Sequence, residues 1–308
     1  MIECRSLAKS FDGRWAVHGI TFDVAEGDIF GFIGPNGAGK TTSIRIMSTL
    51  LDPTQGDIRV GGKSVIEDPE AVRKLIGYMP DSFGVYDRIT VWEYLDFFAA
   101  AYGLSRRERM GTLEGILDLT DLRGLRDRLT AELSKGMRQR LCLAKTLVHD
   151  PKVLILDEPA NGLDPRARIE FRALLKELRL MGKTIFISSH ILAELSDVCT
   201  AVAIVERGRV VASGPLAKIR AALQPGPVLR LEVLGDPAAA AAALKGLPGA
   251  GEPKIEGGAV LLPFSEPREK IPSFLRAALD AGVPVAGLTE VKTDLEDLFM
   301  KLTRGDVA

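Results

Sequence analysis

Residues 34–41, GPNGAGKT, constrain the fold of this chain more than any other stretch, because they match the phosphate-loop pattern G-x-x-x-x-G-K-[ST]. That pattern requires a buried strand before it and a helix after it. Residues 28–33 are typical of a short buried strand, and Ile44, Met47 and Leu51 recur at helical spacing. Glycines let backbone N–H groups turn inward around phosphate oxygens, and the helix N-terminus adds positive potential. The sequence therefore predicts a nucleotide phosphate site rather than a glycine-rich turn with an accidental lysine.

Four side chains are predicted to act on the phosphates and their metal ion. Lys40 is expected to reach the β- and γ-phosphates, and the Thr41 hydroxyl is expected to bind Mg²⁺. The apolar run 153–156 ends at Asp157, which places this carboxylate at the carboxyl edge of a sheet, where α/β proteins bind ligands. We expect Asp157 to hold Mg²⁺ through water, and Glu158 to polarise the water that attacks the γ-phosphate. Taken alone, Asp157 would be an ordinary strand-end carboxylate.

Bulk properties narrow the class of protein. A length of 308 residues predicts one large domain and a smaller one, and 46% hydrophobic residues are enough for a packed core. The formal net charge of −1 gives no reason to expect nucleic acid as a partner. Cys4, Cys142 and Cys199 are too scattered for a disulfide framework or a metal site, which fits a reducing cytosol. No signal peptide opens the chain, and no apolar run approaches the roughly 18–20 residues that span a bilayer. Any membrane role is therefore expected to come through a partner.

Apolar patterning predicts two kinds of sheet in the first part of the chain. Residues 1–25 and 54–66 alternate polar and apolar positions, and Gly61-Gly62 marks a hairpin turn. Residues 153–157 and 184–188 are short apolar strands separated by a helix, which is the order of a parallel α/β sheet.

Residues 90–149 are predicted to be mainly helical, within a helical subdomain of about residues 82–150. Together with the two sheets this subdomain is expected to form a first domain over residues 1–223. Two capping boxes of the form S/T-x-x-E mark helix starts, namely Thr90 with Glu93 and Ser105 with Glu108.

A second, smaller domain is predicted over residues 228–308, after a linker QPGP at 224–227. Its segments follow the order βαββαβ of a ferredoxin-like fold. These segments are an alternating stretch at 228–234, an alanine-rich helix, strands near 253–264, a helix at 268–281 and a strand at 283–291. A final helix is expected to start at Thr293, with Glu three residues later.

A second anion site is predicted in ELSKGMRQRLCLAK, residues 132–145. Ser134 can cap a helix whose apolar residues share one face, and Gly136 leaves the backbone of its first turn open to an anion. The apolar face consists of Met137, Leu141, Ala144 and Val148. One chain thus has two phosphate-binding surfaces but a single phosphate loop. With these motifs in this order, residues 2–215 resemble the nucleotide-binding subunit of ABC transporters.

The resemblance implies a role for each motif. The Walker A residues that would bind the nucleotide are Gly34, Pro35, Asn36, Gly37, Ala38, Gly39, Lys40, Thr41 and Thr42. Residues 153–157 would be Walker B, with Glu158 as the catalytic glutamate. The signature residues Ser134, Lys135, Gly136 and Gln139 would contact ATP held by the opposite subunit, so that two chains enclose two ATP molecules.

Three further positions match family motifs. Residues 161–164, ending in Asp164, resemble the D-loop that crosses the dimer interface, although Asp164-Pro165 is also a plain helix start. His190 matches the switch histidine that contacts the γ-phosphate, with a structural histidine as the alternative. Phe11 is placed where the family stacks an aromatic ring on adenine, with Trp15 nearby, and core packing is the alternative for both rings.

Two departures from the family pattern stand out. The usual Gly-Gly of the signature is Lys135-Gly136, a form that resembles the ABC-2 export branch. Asp81 stands where most relatives have the Q-loop glutamine that touches Mg²⁺ and water. Aspartate can still accept from water or reach a cation, but it is shorter and charged, so Asp81 is a candidate Mg²⁺ ligand.

We therefore expect a P-loop NTPase of the ABC type, with a RecA-like parallel core, an antiparallel β subdomain, a helical subdomain and a small α+β ferredoxin-like C-terminal domain. The resemblance implies an ATPase with ATP and Mg²⁺ that pairs with itself or a similar subunit. It would act on ABC-2 integral membrane permease subunits from the cytoplasmic face of the membrane. The ending TDLEDLFMKLTRG at 293–305 resembles the tail of that branch, or is simply an amphipathic helix of the small domain, whose expected role is in assembly.

The apolar segment after Asp81 is expected to border the groove for the membrane subunit, or else to pack the helical subdomain. Its members are Phe83, Val85, Tyr86, Ile89 and Trp92. The alternative function is a soluble ABC-type scaffold or regulatory factor, although such factors usually carry two cassettes. A DNA-repair ATPase is disfavoured because no coiled coil separates the motifs, and a GTPase because the chain lacks N-K-x-D.

Overall fold

The computed structural model describes residues 1–82, 84, 86, 88–191, 195, 197–223 and 227–291. The described part divides into two compact units after Leu216. The predicted linker at 224–227 lies outside the described residues except for Pro227, so the boundary between the predicted domains stays a prediction. Each unit is treated below by itself.

The first unit is built on a six-stranded sheet of order β10-β9-β3-β8-β7-β6. The strands are β3 (Ile29–Ile33), β6 (Ile76–Met79), β7 (Val153–Leu156), β8 (Thr184–Ser189), β9 (Ala201–Glu206) and β10 (Arg209–Pro215). All neighbouring strands are parallel except β9 and β10. Every residue of β3, β7 and β8 is buried, which explains the absence of charged residues from all three strands. The carboxyl ends of these three strands meet at one edge of the sheet.

A four-stranded antiparallel sheet of order β2-β1-β4-β5 packs against the central sheet. Its strands are β1 (Ile2–Phe11), β2 (Arg14–Val24), β4 (Gln55–Val60) and β5 (Lys63–Ser64). The hairpin between β4 and β5 turns at Gly61 and Gly62, both with positive φ, as predicted. In the shared core, the Phe22 ring stacks on Phe30 with centroids 5.4 Å apart, and Phe30 stacks on Phe186 at 5.6 Å.

Helices cover the rest of the first unit. They are α1 (Lys40–Met47), α2 (Pro69–Leu75), α3 (Val91–Ala101), α4 (Arg106–Leu119), α5 (Lys135–Leu147) and α6 (Pro165–Leu180). A further helix, α7 (Leu216–Leu223), begins at Leu216, and its remaining residues belong to the second unit. Both predicted capping boxes are present at the starts of α3 and α4. The plain helix start predicted at Asp164 is also confirmed, because its side chain accepts from the Ala167 N–H at 2.9 Å. No described helix has the length and apolar character needed to cross a membrane.

The second unit contains the predicted βαββαβ order. Its elements are β11 (Val228–Val233), α8 (Pro237–Leu244), β12 (Lys254–Glu256), β13 (Ala259–Pro263), α9 (Ile271–Asp280) and β14 (Val285–Val291). The sheet is antiparallel with order β12-β13-β11-β14, which is the ferredoxin-like arrangement. Its core includes Leu229, Leu231, Leu244, Val260 and Phe274. The helix predicted from Thr293 lies outside the described residues.

Candidate active site

The phosphate loop leaves β3 at the carboxyl edge of the central sheet and enters α1 at Lys40. Two of its glycines lie against other backbone. A Cβ on Gly34 would lie 2.1 Å from the Val205 carbonyl oxygen. Gly39 adopts φ 94°, and a Cβ there would lie 2.6 Å from the Ala16 carbonyl oxygen. A side chain at either position would therefore displace the loop whose N–H groups are placed to surround a phosphate.

The Lys40 side chain is buried, with only 5% of its residue surface exposed. Its ammonium donates to the carbonyl oxygens of Gly34 and Pro35, at 2.7 and 3.2 Å. It also forms an ion pair with Glu158, with 3.2 Å between Nζ and Oε1. The lysine thus joins the loop to the acidic residue after β7.

Asp157 is 1% exposed at the end of β7. Its Oδ1 accepts from the Ser188 hydroxyl at 2.7 Å, while Oδ2 accepts no hydrogen bond from the described residues. Burial raises the pKa of Asp157, and the hydroxyls of Ser188 and Thr41 partly offset that shift. A buried carboxylate oxygen without a donor, close to the Thr41 hydroxyl, fits a hard cation such as Mg²⁺.

Glu158 lies between two nitrogen-bearing side chains. Its backbone has φ 48°, in the left-handed region, and its N–H donates to the Ser188 hydroxyl oxygen at 2.9 Å. Its Oε2 lies 2.7 Å from Nδ1 of His190. Because a carboxylate only accepts hydrogen bonds, Nδ1 carries the proton in this pair. The residue predicted as a switch histidine is therefore in direct contact with the residue predicted as the catalytic base.

Lys40, Glu158 and His190 line one cavity of about 560 Å³, whereas the buried Asp157 is not part of its lining. Its lining consists of Ala16, Asn36, Gly37, Gly39, Lys40, Thr41, Thr42, Asp81, Glu158, Asn161 and His190. The structure thus brings residues from the loop and from the segments after β6, β7 and β8 to one place. Of the predicted Walker A residues, Gly34, Pro35 and Ala38 lie in the loop but do not line this cavity.

Phe11 and Trp15 lie at the β1–β2 turn, and their exposed fractions of 45% and 44% exclude core packing for both. The Lys9 ammonium lies 5.2 Å from the centroid of the Phe11 ring. Neither ring lines the cavity. The exposure leaves the Phe11 ring open to stacking, and the contact with adenine stays a prediction.

Three of the four signature residues, Ser134, Lys135 and Gly136, line a second cavity of about 420 Å³. Ser134 caps α5 as predicted, accepting from the Met137 N–H at 3.3 Å. Lys135 and Gly136 line this cavity with Asp164 of the predicted D-loop. Because no residue lines both cavities, the two predicted phosphate surfaces are separate within one chain.

Gln139 differs from the other three signature residues. It is 3% exposed, and its amide nitrogen donates to the Pro159 carbonyl oxygen. The second cavity does not include it. The prediction that it contacts the partner's ATP is therefore not supported by its position, because α5 turns its side chain inward against the segment after Glu158. In this structure Gln139 joins the signature helix to the Walker B segment.

Comparison with known proteins identifies the family. Residues 17–161 match the ABC transporter family. The ABC transporter ATP-binding protein NatA of Bacillus subtilis is 37% identical over 205 residues, which cover 66% of this chain and 83% of that protein. The chain belongs to the ABC transporter family. It is an ATP-binding subunit of the ABC type and an ATPase.

Two further similarities define how far the likeness extends. The Nod factor export ATP-binding protein I of Burkholderia lata is 34% identical over 304 residues, covering 98% of this chain and 96% of that protein. A solved structure titled as the ATP binding subunit of an ABC transporter is 33% identical, with a TM-score of 0.65 over 71% of this chain and 92% of the other. The ABC cassette fold predicted from the motifs is therefore confirmed.

Ser188 is the residue of this ABC ATPase that the sequence analysis missed. Its hydroxyl donates to Asp157 and accepts from the Glu158 N–H, so it orients both acidic residues of Walker B. The available signal was a hydroxyl at the end of the apolar strand TIFISS, because a fully buried serine needs hydrogen-bond partners.

Proposed function

We propose that this ABC ATPase pairs with a second copy, or a similar subunit, around two ATP molecules and drives export through separate ABC-2 membrane subunits. The observation that supports it best is the separation of the two phosphate-type cavities within one chain. A second chain with its signature over the first chain's loop would bring the two kinds of surface together. The competing proposal is a soluble ABC-type scaffold without a transport partner.

Within one site, each residue has a proposed task. The loop N–H groups and Lys40 bind the phosphates. Thr41 and Asp157 would hold Mg²⁺, which would supply positive charge to the phosphate oxygens. Glu158 accepts the proton of the attacking water, and His190, which lies 2.7 Å from Glu158 in this structure, contacts the γ-phosphate when ATP binds. Ser134 and Gly136 of the second chain complete the site, with Lys135 adding a positive charge.

The proposal of export is supported by the relative whose similarity covers nearly the whole chain. The Nod factor export ATP-binding protein I matches both units, including the second one, rather than the cassette alone. We infer a location on the cytoplasmic face of the membrane, bound to permease subunits. The test is to tag the full-length protein in its own cells and recover it from the membrane fraction. Recovery with a polytopic membrane protein is expected, whereas a protein that stays wholly in the soluble fraction would favour the scaffold.

The exposed aromatic pair Tyr86 and Phe97 is the proposed contact for the membrane subunit. Tyr86 is 59% exposed and Phe97 is 55% exposed, with ring centroids 6.2 Å apart in an edge-on arrangement. The Thr130 hydroxyl donates to the Tyr86 carbonyl oxygen at 2.6 Å, so the backbone is held while the ring faces solvent. Trp92, by contrast, is half-buried under the Arg126 guanidinium. Phe83 and Val85 lie outside the described residues.

Tyr86→Ala is expected to weaken co-purification with the membrane subunit while leaving the melting temperature and ATP binding of the isolated protein nearly unchanged. Interface aromatics of this kind contribute about 2 kcal/mol or more, which corresponds to roughly thirtyfold weaker binding. Leu180→Ala is the matched control, because Leu180 is an apolar residue exposed on α6. A Tyr86→Ala protein that unfolds would assign the ring to the core, and one that docks normally would remove it from the interface.

We propose Asp81 as a third oxygen donor for Mg²⁺, because it lines the same cavity as Thr41. A cation site loses affinity when a charged ligand becomes neutral. Asp81→Asn is therefore expected to raise the Mg²⁺ concentration needed for half-maximal metal-dependent ATP binding by about tenfold, measured with a fluorescent ATP analogue. Glu26→Gln, at an exposed carboxylate outside the cavity, should leave that concentration unchanged. An unaltered Mg²⁺ requirement in Asp81→Asn would exclude Asp81 as a ligand.

A further inference from the structure

Glu158 occupies the position between the two groups that the proposed function assigns to the γ-phosphate. One carboxylate oxygen lies 3.2 Å from Lys40 Nζ, and the other lies 2.7 Å from His190 Nδ1. The side chains of Lys40 and Glu158 are only 6% and 11% exposed, whereas that of His190 is 34% exposed. The contact is therefore sheltered from solvent on the lysine side, where a charge-assisted interaction is strongest.

The Lys40 ammonium has no donor to spare for a phosphate in this arrangement. An ammonium group has three N–H donors. In the structure its three partners are the carbonyl oxygens of Gly34 and Pro35 and the Glu158 carboxylate. Glu158 lines the cavity together with Lys40, so it is the partner that a phosphate in the cavity would replace.

We infer that the Glu158 carboxylate competes with the γ-phosphate for Lys40 and His190, and that this contact lowers the preference of the protein for ATP over ADP. The inference rests on the proposed function, which makes these two side chains the γ-phosphate ligands. ATP must displace Glu158 from both partners before its γ-phosphate can bind them. ADP ends at the β-phosphate, which the loop N–H groups and Lys40 hold, so ADP can bind while the contact between Glu158 and His190 persists. Glu158 is thereby a specificity-determining residue in addition to its proposed catalytic role.

The expected change in the Kd of ATP depends on the fraction of molecules in which Glu158 contacts Lys40 and His190. When only a fraction of molecules is competent to bind, the apparent Kd rises by the inverse of that fraction. If the contact is formed in about nine molecules in ten, the Kd of ATP is about tenfold higher than it would be without the contact. This difference corresponds to about 1.4 kcal/mol of binding free energy.

The test measures the Kd values of ATP and ADP by calorimetry in EDTA, where hydrolysis does not interfere. Glu158→Gln removes the charge, and Glu158→Asp keeps the charge but shortens the side chain, so that it no longer spans Lys40 and His190. Both variants are expected to raise the ratio Kd(ADP)/Kd(ATP) about tenfold, mostly through tighter ATP binding. Asp81→Asn removes another carboxylate from the same cavity that has no hydrogen bond or ion pair to Lys40 or His190 in the described structure. It is expected to change the ratio less than about threefold.

Two results would overturn the inference while leaving the proposed function intact. One is an unchanged ratio in both Glu158 variants, while the wild-type protein hydrolyses ATP once Mg²⁺ is added. The other is an equal rise in Asp81→Asn, which would reduce the effect to general charge repulsion in the cavity. If the wild-type protein bound neither nucleotide, the proposed function would fail as well, so the two failures are distinguishable.

Discussion

Glu158→Gln is expected to lower the kcat for ATP hydrolysis by about 10²–10⁴-fold while ATP binding is retained, because the amide cannot accept the proton of the attacking water. The structure places this carboxylate at the cavity, 2.7 Å from His190 and 3.2 Å from Lys40. The replacement preserves size and shape, so the left-handed backbone at this position is not disturbed. Because the chemistry fails after assembly, the variant should also accumulate as a nucleotide-bound dimer.

Steady-state phosphate release and size-exclusion chromatography with ATP and Mg²⁺ measure the two effects together. Glu26→Gln is the matched control, since it makes the same chemical change at an exposed carboxylate outside the cavity. Hydrolysis by Glu158→Gln within threefold of wild type would remove Glu158 from the mechanism. Loss of nucleotide binding would instead indicate that the residue maintains the structure of the loop.

Local signals in the sequence were enough to predict most of the cassette. A capping box depends on residues three apart, so the pairs Thr90–Glu93 and Ser105–Glu108 could be identified without knowledge of the tertiary structure. The all-apolar strand β7 could be identified for a similar reason, because a strand buried on both faces has no polar positions. In each case the relevant physics acts over a few neighbouring residues.

Contacts between distant segments were not predictable in this way. The carboxylate of Glu158 meets His190 across 32 positions, and the Ser188 hydroxyl meets Asp157 across 31. Such pairs depend on which parallel strands are neighbours, and no local pattern specifies that. The burial of Gln139 was not predictable either. Its place in a motif suggested an exposed ligand, whereas the orientation of α5 buries its amide against Pro159.

If the proposed composite site is formed by two chains, a second large effect is expected. Two single variants should each lose activity, and mixing them should restore part of it. Gly136→Asp places a negative charge where the signature would face the partner's phosphates. A Cβ at Gly136 would meet no atom closer than 3.6 Å, and an acidic residue is favourable in the first turn of a helix. The variant should therefore fold normally and lose most ATPase activity. Gly136→Ala, which fits the same space without the charge, is the matched control.

Lys40→Met should also be inactive, but through the opposite surface of the site, because it removes the ammonium that binds the phosphates in its own loop. A heterodimer of the two variants has one site with an intact loop and an intact signature, and one site with both changes. An equal mixture that exchanges subunits freely contains about one quarter of the wild-type number of intact sites, which sets the recovery expected if the sites act independently. Coupling between the sites would lower the recovered activity below that fraction. Heterodimers can be isolated with two different affinity tags. The composite arrangement would be contradicted if such heterodimers showed no more hydrolysis than either parent variant. Full activity of Gly136→Asp alone would also contradict it. If the signature faces the partner's phosphates, a carboxylate at this position should repel them.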